Sequence, residues 1–306
     1  MIDLQQLANK LSPEKWYRTY STNKPGPKIL LVGGIHGNEW GGVEAINEWI
    51  DYLEGNQNTF DNGEVHFLIA NPKALEINQR YVDFDLNRAF DNPNAHGYEA
   101  KRAKELEKIF TDTSFDIVID LHSVSIGEEQ MLVLDIEDKE AFKLAKAVSS
   151  ISTYLLFDQN HVEGIMVAFG GKHGSPGIVV ECGNHLSPFA SRVASFHIYN
   201  TLKYYGVVQN PISCFEELSE FVESPEEINI YETIEAVRPE PGFHYVTKEL
   251  FTGLKLSPGE TYAKSDIREY QAREECAIVL PSNKVKLSDY NVGLICRHKT
   301  ISRQGG

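Results

Sequence analysis

Short apolar runs that stop abruptly on turn residues, alternating with segments of helical period, narrow the fold of this chain more than any other feature. Residues 28–33 (KILLVG) form the first run and end at Gly33-Gly34. Residues 65–70 (VHFLIA) form the second and lead into Asn71-Pro72, a turn signal. Further runs follow at 115–121 (FDIVIDL), 131–136 (MLVLDI) and 177–182 (GIVVEC). Runs of this length bounded by turns read as buried strands. Between them Val43, Ile46, Trp49, Ile50 and Leu53 share one helical face, residues 97–111 form a charged amphipathic helix, and a helix spans about 188–205. Strands alternating with helices predict an α/β domain with a mostly parallel or mixed central sheet. After about residue 208 the helical period fades into short alternating segments such as FHYVTK, AIVLPS and VGLICR, separated by Gly, Pro and Asn. We therefore expect an α/β domain over 1–208 and a small all-β domain over 209–306, with the boundary inside 206–225. A chain of 306 residues is long enough for both cores.

A formal charge of −15 argues against a nucleic-acid or anionic-membrane surface, because phosphate binding needs clustered cations. It also makes any local group of arginines more informative. The first twenty residues lack a cationic start followed by an apolar stretch, and no run approaches the ~18–20 apolar residues that span a bilayer. The expectation is a soluble, cytoplasmic protein; the sequence is compatible with a homo-oligomer without specifying one. Cys182, Cys214, Cys276 and Cys296 are scattered, with no CxxC spacing, which suits free thiols in a reducing compartment and disfavours a cysteine metal site.

The chemistry gathers where strands end. His36 and Glu39, in HGNE, follow the Gly-Gly stop of the first run. Imidazole and carboxylate are the ligands of hydrolytic zinc sites, and three-residue spacing lets both converge on one ion. Alone, such a pair also occurs by chance on surface helices. His122, in DLHS, stands at the carboxyl end of another strand, where open α/β sheets bind ligands. Asp120 lies on the same strand face and could orient it. Glu181, at the end of the 177–182 run, is placed to act as a general base in the same crevice, burial raising its pKa. Residues 78–90 (NQRYVDFDLNRAF) carry Arg80, Asp83, Asp85, Asn87 and Arg88 between proline turns, and arginine forks grip carboxylates. A charged, solvated loop is the bland alternative.

Taken together, GGIHGNE, NPKA followed by RYVDFDLNRAF, DLHS and VVECG resemble the aspartoacylase/succinylglutamate desuccinylase family, a branch of the zinc carboxypeptidase-like fold. The match covers about residues 28–205. The resemblance implies one Zn2+ per chain held by His36, Glu39 and His122, with Glu181 as the water-activating base and Arg80 as the group that polarises the scissile carbonyl. Asn87 and Arg88 match the pair that binds the substrate carboxylate, and Tyr290 is the candidate for a tyrosine that closes over the substrate. Aspartoacylases carry a further arginine shortly before the catalytic glutamate; here AFGGKHGSPG offers Lys172 and His173 instead.

The implied activity is zinc-dependent hydrolysis of a small anionic N-acyl amino acid, N-succinylglutamate- or N-acetylaspartate-like. Glu181 takes a proton from the attacking water, Arg80 helps hold the tetrahedral oxyanion, and Glu181 returns the proton to the departing amine. A dicarboxylic amino acid such as aspartate or glutamate is expected, and Lys172 or another cation must then meet its second carboxylate. A zinc carboxypeptidase acting on peptides, or a non-catalytic binder of a small anion, are the alternatives.

Overall fold

Strands buried on both faces need helices on both sides, and the centre of this molecule is built in that way. The computed structural model describes residues 2–12, 14–56, 58–221, 226–247, 249–282, 285–287 and 289–302. The elements of the first half are α1 (Leu4–Lys10), β1 (Tyr17–Ser21), β2 (Lys28–Gly33), α2 (Trp40–Gly55), β3 (Glu64–Ile69), α3 (Pro72–Glu76), α4 (Gly97–Asp112) and β4 (Ile117–Val124). Next come β5 (Gln130–Asp135), α5 (Lys139–Val148), β6 (Thr153–Phe157), α6 (Met166–Lys172), β7 (Gly177–Asn184), α7 (Ala190–Tyr204) and α8 (Ser213–Glu216). From there on every described strand or helix is β except one 3-10 turn: β8 (Glu227–Ala236), β9 (His244–Tyr245), β10 (Leu254–Leu256), β11 (Thr261–Lys264), β12 (Glu269–Gln271), β13 (Cys276–Val279) and β14 (Leu294–Ser302).

An 11-stranded mixed sheet runs β1-β3-β2-β4-β7-β5-β6-β8-β14-β13-β10, and β12-β11-β9 form a second, three-stranded one. The pairs β3–β2, β2–β4, β4–β7, β5–β6 and β6–β8 are parallel, while β5–β7 is antiparallel. The α/β architecture read from the sequence is therefore present, with short edge elements added. The β-rich C-terminal part is continuous with the main sheet, because β8 pairs with the otherwise open edge of β6 and so satisfies its backbone groups.

Side-chain alternation sorts the strands into two cores. Leu31, Ile119 and Val180 face the layer of α2 and α7, where Trp49, Ile50 and Ile198 are buried. Leu30, Val118, Val133 and Val179 face the layer of α4 and α6. Asp120 and His122 follow Val118 at two-residue steps, and Glu181 follows Val179, so all emerge on the second face. His122 is the register partner of Glu181. No helix among the described residues is long and apolar enough to cross a membrane. All four cysteines are free thiols, and Cys182 is buried in the first core, where it acts as a packing residue.

One buried group gives the fold a pH dependence of its own. His197 of α7 is 2% exposed, its Nε2 meets no partner, and burial pushes its pKa down to about 4. Between the ordinary histidine value and about 4 the unfolded chain takes up a proton that the folded chain refuses, so stability falls as pH falls through that window and levels off below it. The loss is bounded at about 3 kcal/mol. We expect His197→Gln to flatten this part of the curve: urea unfolding at about pH 7 and about pH 4.5 should show a smaller stability drop in the variant. Equal drops in the two proteins would contradict the assignment.

Candidate active site

The chain leaves β2 by a sharp turn. Gly34 takes φ +68°, a conformation that costs glycine little, and the next residues cross the top of the sheet to begin α2. Glu39 is the N-cap of that helix. At Gly42 an added Cβ would stand 2.6 Å from Leu121 Cβ and 2.8 Å from its carbonyl oxygen, so the helix start abuts the end of β4. Close approach of backbone to backbone is what brings Glu39 beside His122. The ligand atoms of His36, Glu39 and His122 lie within 4.8 Å of one another, and all three residues are buried. Glu39 bridges the two rings, with Oε1 at 2.8 Å from His36 Nδ1 and Oε2 at 3.0 Å from His122 Nδ1.

A second row of carboxylates fixes both rings. His36 Nε2–H donates to Asp85 Oδ1 at 3.1 Å, and His122 Nε2–H donates to Asp120 Oδ2 at 3.0 Å. Because a carboxylate only accepts, each Nε2 carries a proton toward its acid, and Nδ1 is the ring nitrogen turned to Glu39 and the cavity. The Ser123 backbone N–H donates to Glu39 Oε2 at 3.1 Å. Burial opposes charge on Glu39, yet His36 and His122 hold its carboxyl well below the usual range. Burial likewise opposes protonation of His122, but Asp120 and Glu39 push its pKa well upward. Two imidazole nitrogens and a carboxylate aimed at one point, each ring backed by an acid, form a group that could hold a metal ion.

The 78–90 segment is an ordered loop, tied down by an acid that the sequence alone places on a solvated helix. Glu99 of α4 is fully buried and accepts from the backbone N–H groups of Val82, Asp83 and Phe84 at 2.7, 3.0 and 3.2 Å. This positions Arg80, whose guanidinium reaches Asp85 Oδ2 at 3.0 Å and lies 3.7 Å from Glu39 Oε1, with the side chain still 43% exposed. Asn87 Oδ1 accepts from the Met166 N–H at 2.9 Å, so Nδ2 is the group it offers the cavity. Arg88 donates to Asn291 Oδ1 at 2.9 Å and to the Asn87 carbonyl at 2.6 Å, while its Nε is buried without a partner. Burial lowers the pKa of Arg88. A buried guanidinium with a free N–H is poised for an anion.

Glu181 completes the arrangement from the neighbouring strand. Its Oε2 is buried with no partner, and burial raises its pKa to about 7 against the pull of His122. Tyr290 lies over Arg88, 5.6 Å from guanidinium to ring centroid, and accepts from Arg238 Nη2 at 3.3 Å. His36, Glu39, Arg80, Asn87, Arg88, His122, Glu181 and Tyr290, all singled out in the sequence, line one cavity of about 1040 Å³.

Lys172 and His173, which the sequence left open as replacements for a substrate-binding arginine, do not join them. Both are exposed where α6 ends, before β7 begins, and neither lines the cavity; Glu181 is near the other end of that strand. His173 stacks instead on Phe169 with centroids 4.2 Å apart. The sequence reading also missed the pairing of Ser123 Oγ with His185 Nδ1 at 2.8 Å, both on the cavity wall, and the support of Arg88 by Asn291. The only local signal for His185 was its position four residues beyond Glu181.

Comparison with known proteins adds the following. Residues 25–198 match the Succinylglutamate desuccinylase/Aspartoacylase catalytic domain family. Aspartoacylase of Xenopus tropicalis is 34% identical over 131 residues, covering 39% of this chain and 41% of that protein. N-acyl-aromatic-L-amino acid amidohydrolase (carboxylate-forming) of Xenopus tropicalis is 37% identical over 128 residues, covering 39% of this chain and 40% of that protein. These alignments span about two fifths of the length of the curated relatives. The fold is shared more widely: the crystal structure of succinylglutamate desuccinylase from Vibrio cholerae superposes with a TM-score of 0.70 at 18% identity, covering 92% of this chain and 83% of that one.

Proposed function

The chain belongs to the succinylglutamate desuccinylase/aspartoacylase family, and from that premise we propose that it is a zinc-dependent amidohydrolase cleaving a small N-acyl amino acid into a carboxylic acid and an amino acid. The observation that carries the reading is the convergence of His36, Glu39 and His122 within 4.8 Å, in one cavity with the unpartnered Glu181 carboxylate. His36 Nδ1, Glu39 and His122 Nδ1 are the atoms that would hold the zinc, and their donor chemistry fits a hydrolytic site of two histidines and a glutamate. When bound, zinc supplies Lewis acidity there, which makes water a nucleophile at neutral pH.

The chain's own groups do the rest. Glu181 accepts the proton of the attacking water on its free oxygen and delivers it to the amine nitrogen as the amide bond breaks. Arg80, anchored by Asp85, donates to the carbonyl oxygen as negative charge develops on it. Arg88 and the Asn87 amide grip the carboxylate of the amino acid and so fix the amide over the base. Tyr290 packs on that clamp and screens it from water. Asp85 and Asp120 keep the two imidazoles in the tautomer that leaves Nδ1 free.

The reading is tested by offering the zinc-loaded protein a panel of N-acetyl, N-succinyl and N-formyl amino acids beside short peptides and identifying the products. Release of free amino acid from at least one N-acyl compound is expected, and turnover of peptides alone would contradict it. Arg88→Ala should lower kcat/KM by the loss of a desolvated charge-assisted contact, about 2–5 kcal/mol. In the wild type the carboxamide of a good substrate should already be poor. A carboxamide that turns over as well as the free acid would remove the clamp from the account.

A further inference from the structure

The amidohydrolase reading leaves the amino acid open, and the relatives above are named for different ones. The wall beside the carboxylate clamp narrows the choice. Two residues before Glu181, on the same face of β7, stands Val179, which is paired across the sheet with Val133 of β5. Val133 is paired in turn with Leu155 of β6, and Phe157 follows on the same face. All four are buried and line the cavity, so the floor next to the base is a continuous apolar row.

The loop between β6 and α6 adds Val162 and Ile165 to this wall. It packs directly on the clamp. The Met166 N–H donates to Asn87 Oδ1 at 2.9 Å and the Phe90 N–H to the Gly164 carbonyl at 3.3 Å. A Cβ added to Gly164 would stand 2.2 Å from the Arg88 carbonyl oxygen. The apolar wall therefore begins where the carboxylate clamp ends. Among the described residues the remaining cations of the cavity are placed elsewhere. Arg80 is paired with Asp85, and Lys286 is exposed with Nζ 6.0 Å from the centre of the Tyr81 ring.

We propose that Val133, Leu155, Phe157, Val162, Ile165 and Val179 form the side-chain subsite for the amino acid, and that it takes an aromatic or large aliphatic side chain rather than a second carboxylate. A carboxylate on this wall would lose its water without gaining a cation or a donor. An apolar side chain there gains from leaving water, and the area involved corresponds to about 10–150-fold in affinity or kcat/KM. The turnover part of this proposal rests on the amidohydrolase reading; the binding part does not.

The experiment compares kcat/KM of the zinc-loaded protein for the N-acetyl derivatives of phenylalanine, leucine, alanine, aspartate and glutamate. In parallel, calorimetry measures binding of the same compounds to zinc-loaded Glu181→Gln. Phenylalanine and leucine derivatives should exceed the alanine derivative by about 10–150-fold in both measurements, with the dicarboxylic derivatives below it. Val133→Phe should fill the subsite and reduce the phenylalanine-to-alanine preference by about 10-fold or more, and Val179→Leu should reduce it in the same direction. Aspartate or glutamate derivatives that match or beat phenylalanine overturn the proposal, as does a preference unmoved by both substitutions. If none of the compounds is hydrolysed, the activity reading fails, and the order of binding still decides the subsite.

Discussion

Glu181→Gln should keep its metal and lose its hydrolysis. Glutamine has nearly the shape of glutamate but cannot take a proton, so the substitution removes the base and little else. The Oε2 atom is buried without a partner, and no hydrogen bond of that oxygen would be broken by the change. The residue is the register partner of His122 but does not belong to the group of converging ligand atoms. General acid–base help is commonly worth about 10²–10⁴-fold, and Glu181 is asked to act twice in each cycle, so kcat should fall by at least that amount. Zinc content by elemental analysis should equal that of the wild type. Loss of zinc in this variant would make Glu181 a ligand and return the base to be found elsewhere.

His122→Ala should do the opposite and lose both. His122 Nδ1 is one of the three converging donors, and removing it leaves only Glu39 and His36 for a dication that takes three protein ligands in hydrolytic sites. Changing a residue that only orients a ligand typically costs about 10–100-fold in metal affinity, which is the effect expected of Asp120→Asn; removal of the ligand itself should exceed it. The contrast between the two positions is the informative part. Both lie on β4, two residues apart on one face, and a merely structural disturbance of the strand would affect them alike. Equilibrium zinc titration against a competing chelator distinguishes the cases, and equal affinities in the His122→Ala and wild-type proteins would contradict the ligand assignment.

The candidate site groups were legible in the chain because they sit where strands end. His36, Glu39, His122 and Glu181 each stand at or just beyond an apolar run, while the register of β4 against β7 puts the last two on one face. The turn at Gly33-Gly34 was legible too, since only a sharp exit from a buried strand explains two glycines there. What the chain did not show is what depends on long-range packing. Asp85 reads as one acid in a charged loop, and its bond to His36, 49 residues away, depends on a loop path in which buried Glu99 holds the backbone just before it. Glu99 and Arg102 look like solvated charges on an amphipathic helix, yet both are buried because they satisfy backbone groups of the loops below. Lys172 misled through sequence proximity to Glu181, because a strand carries nearby residues to opposite ends of the sheet. The apolar wall was invisible for the complementary reason. Val133, Leu155 and Val179 read as ordinary core, and only the space left beside the clamp turns them into a candidate subsite. The joining of β8 to β6 was likewise unreadable, since a strand's pattern does not say which edge it will complete.

Turnover of an N-acyl amino acid by chelator-stripped protein, measured before and after zinc is restored, tests the central claim most directly. The account predicts that the stripped protein shows no hydrolysis above background. Activity should return as zinc approaches one per chain, with a carboxylic acid and a free amino acid as the products, and should not return in His122→Ala. Full activity in wild-type protein shown by elemental analysis to contain no metal would contradict it.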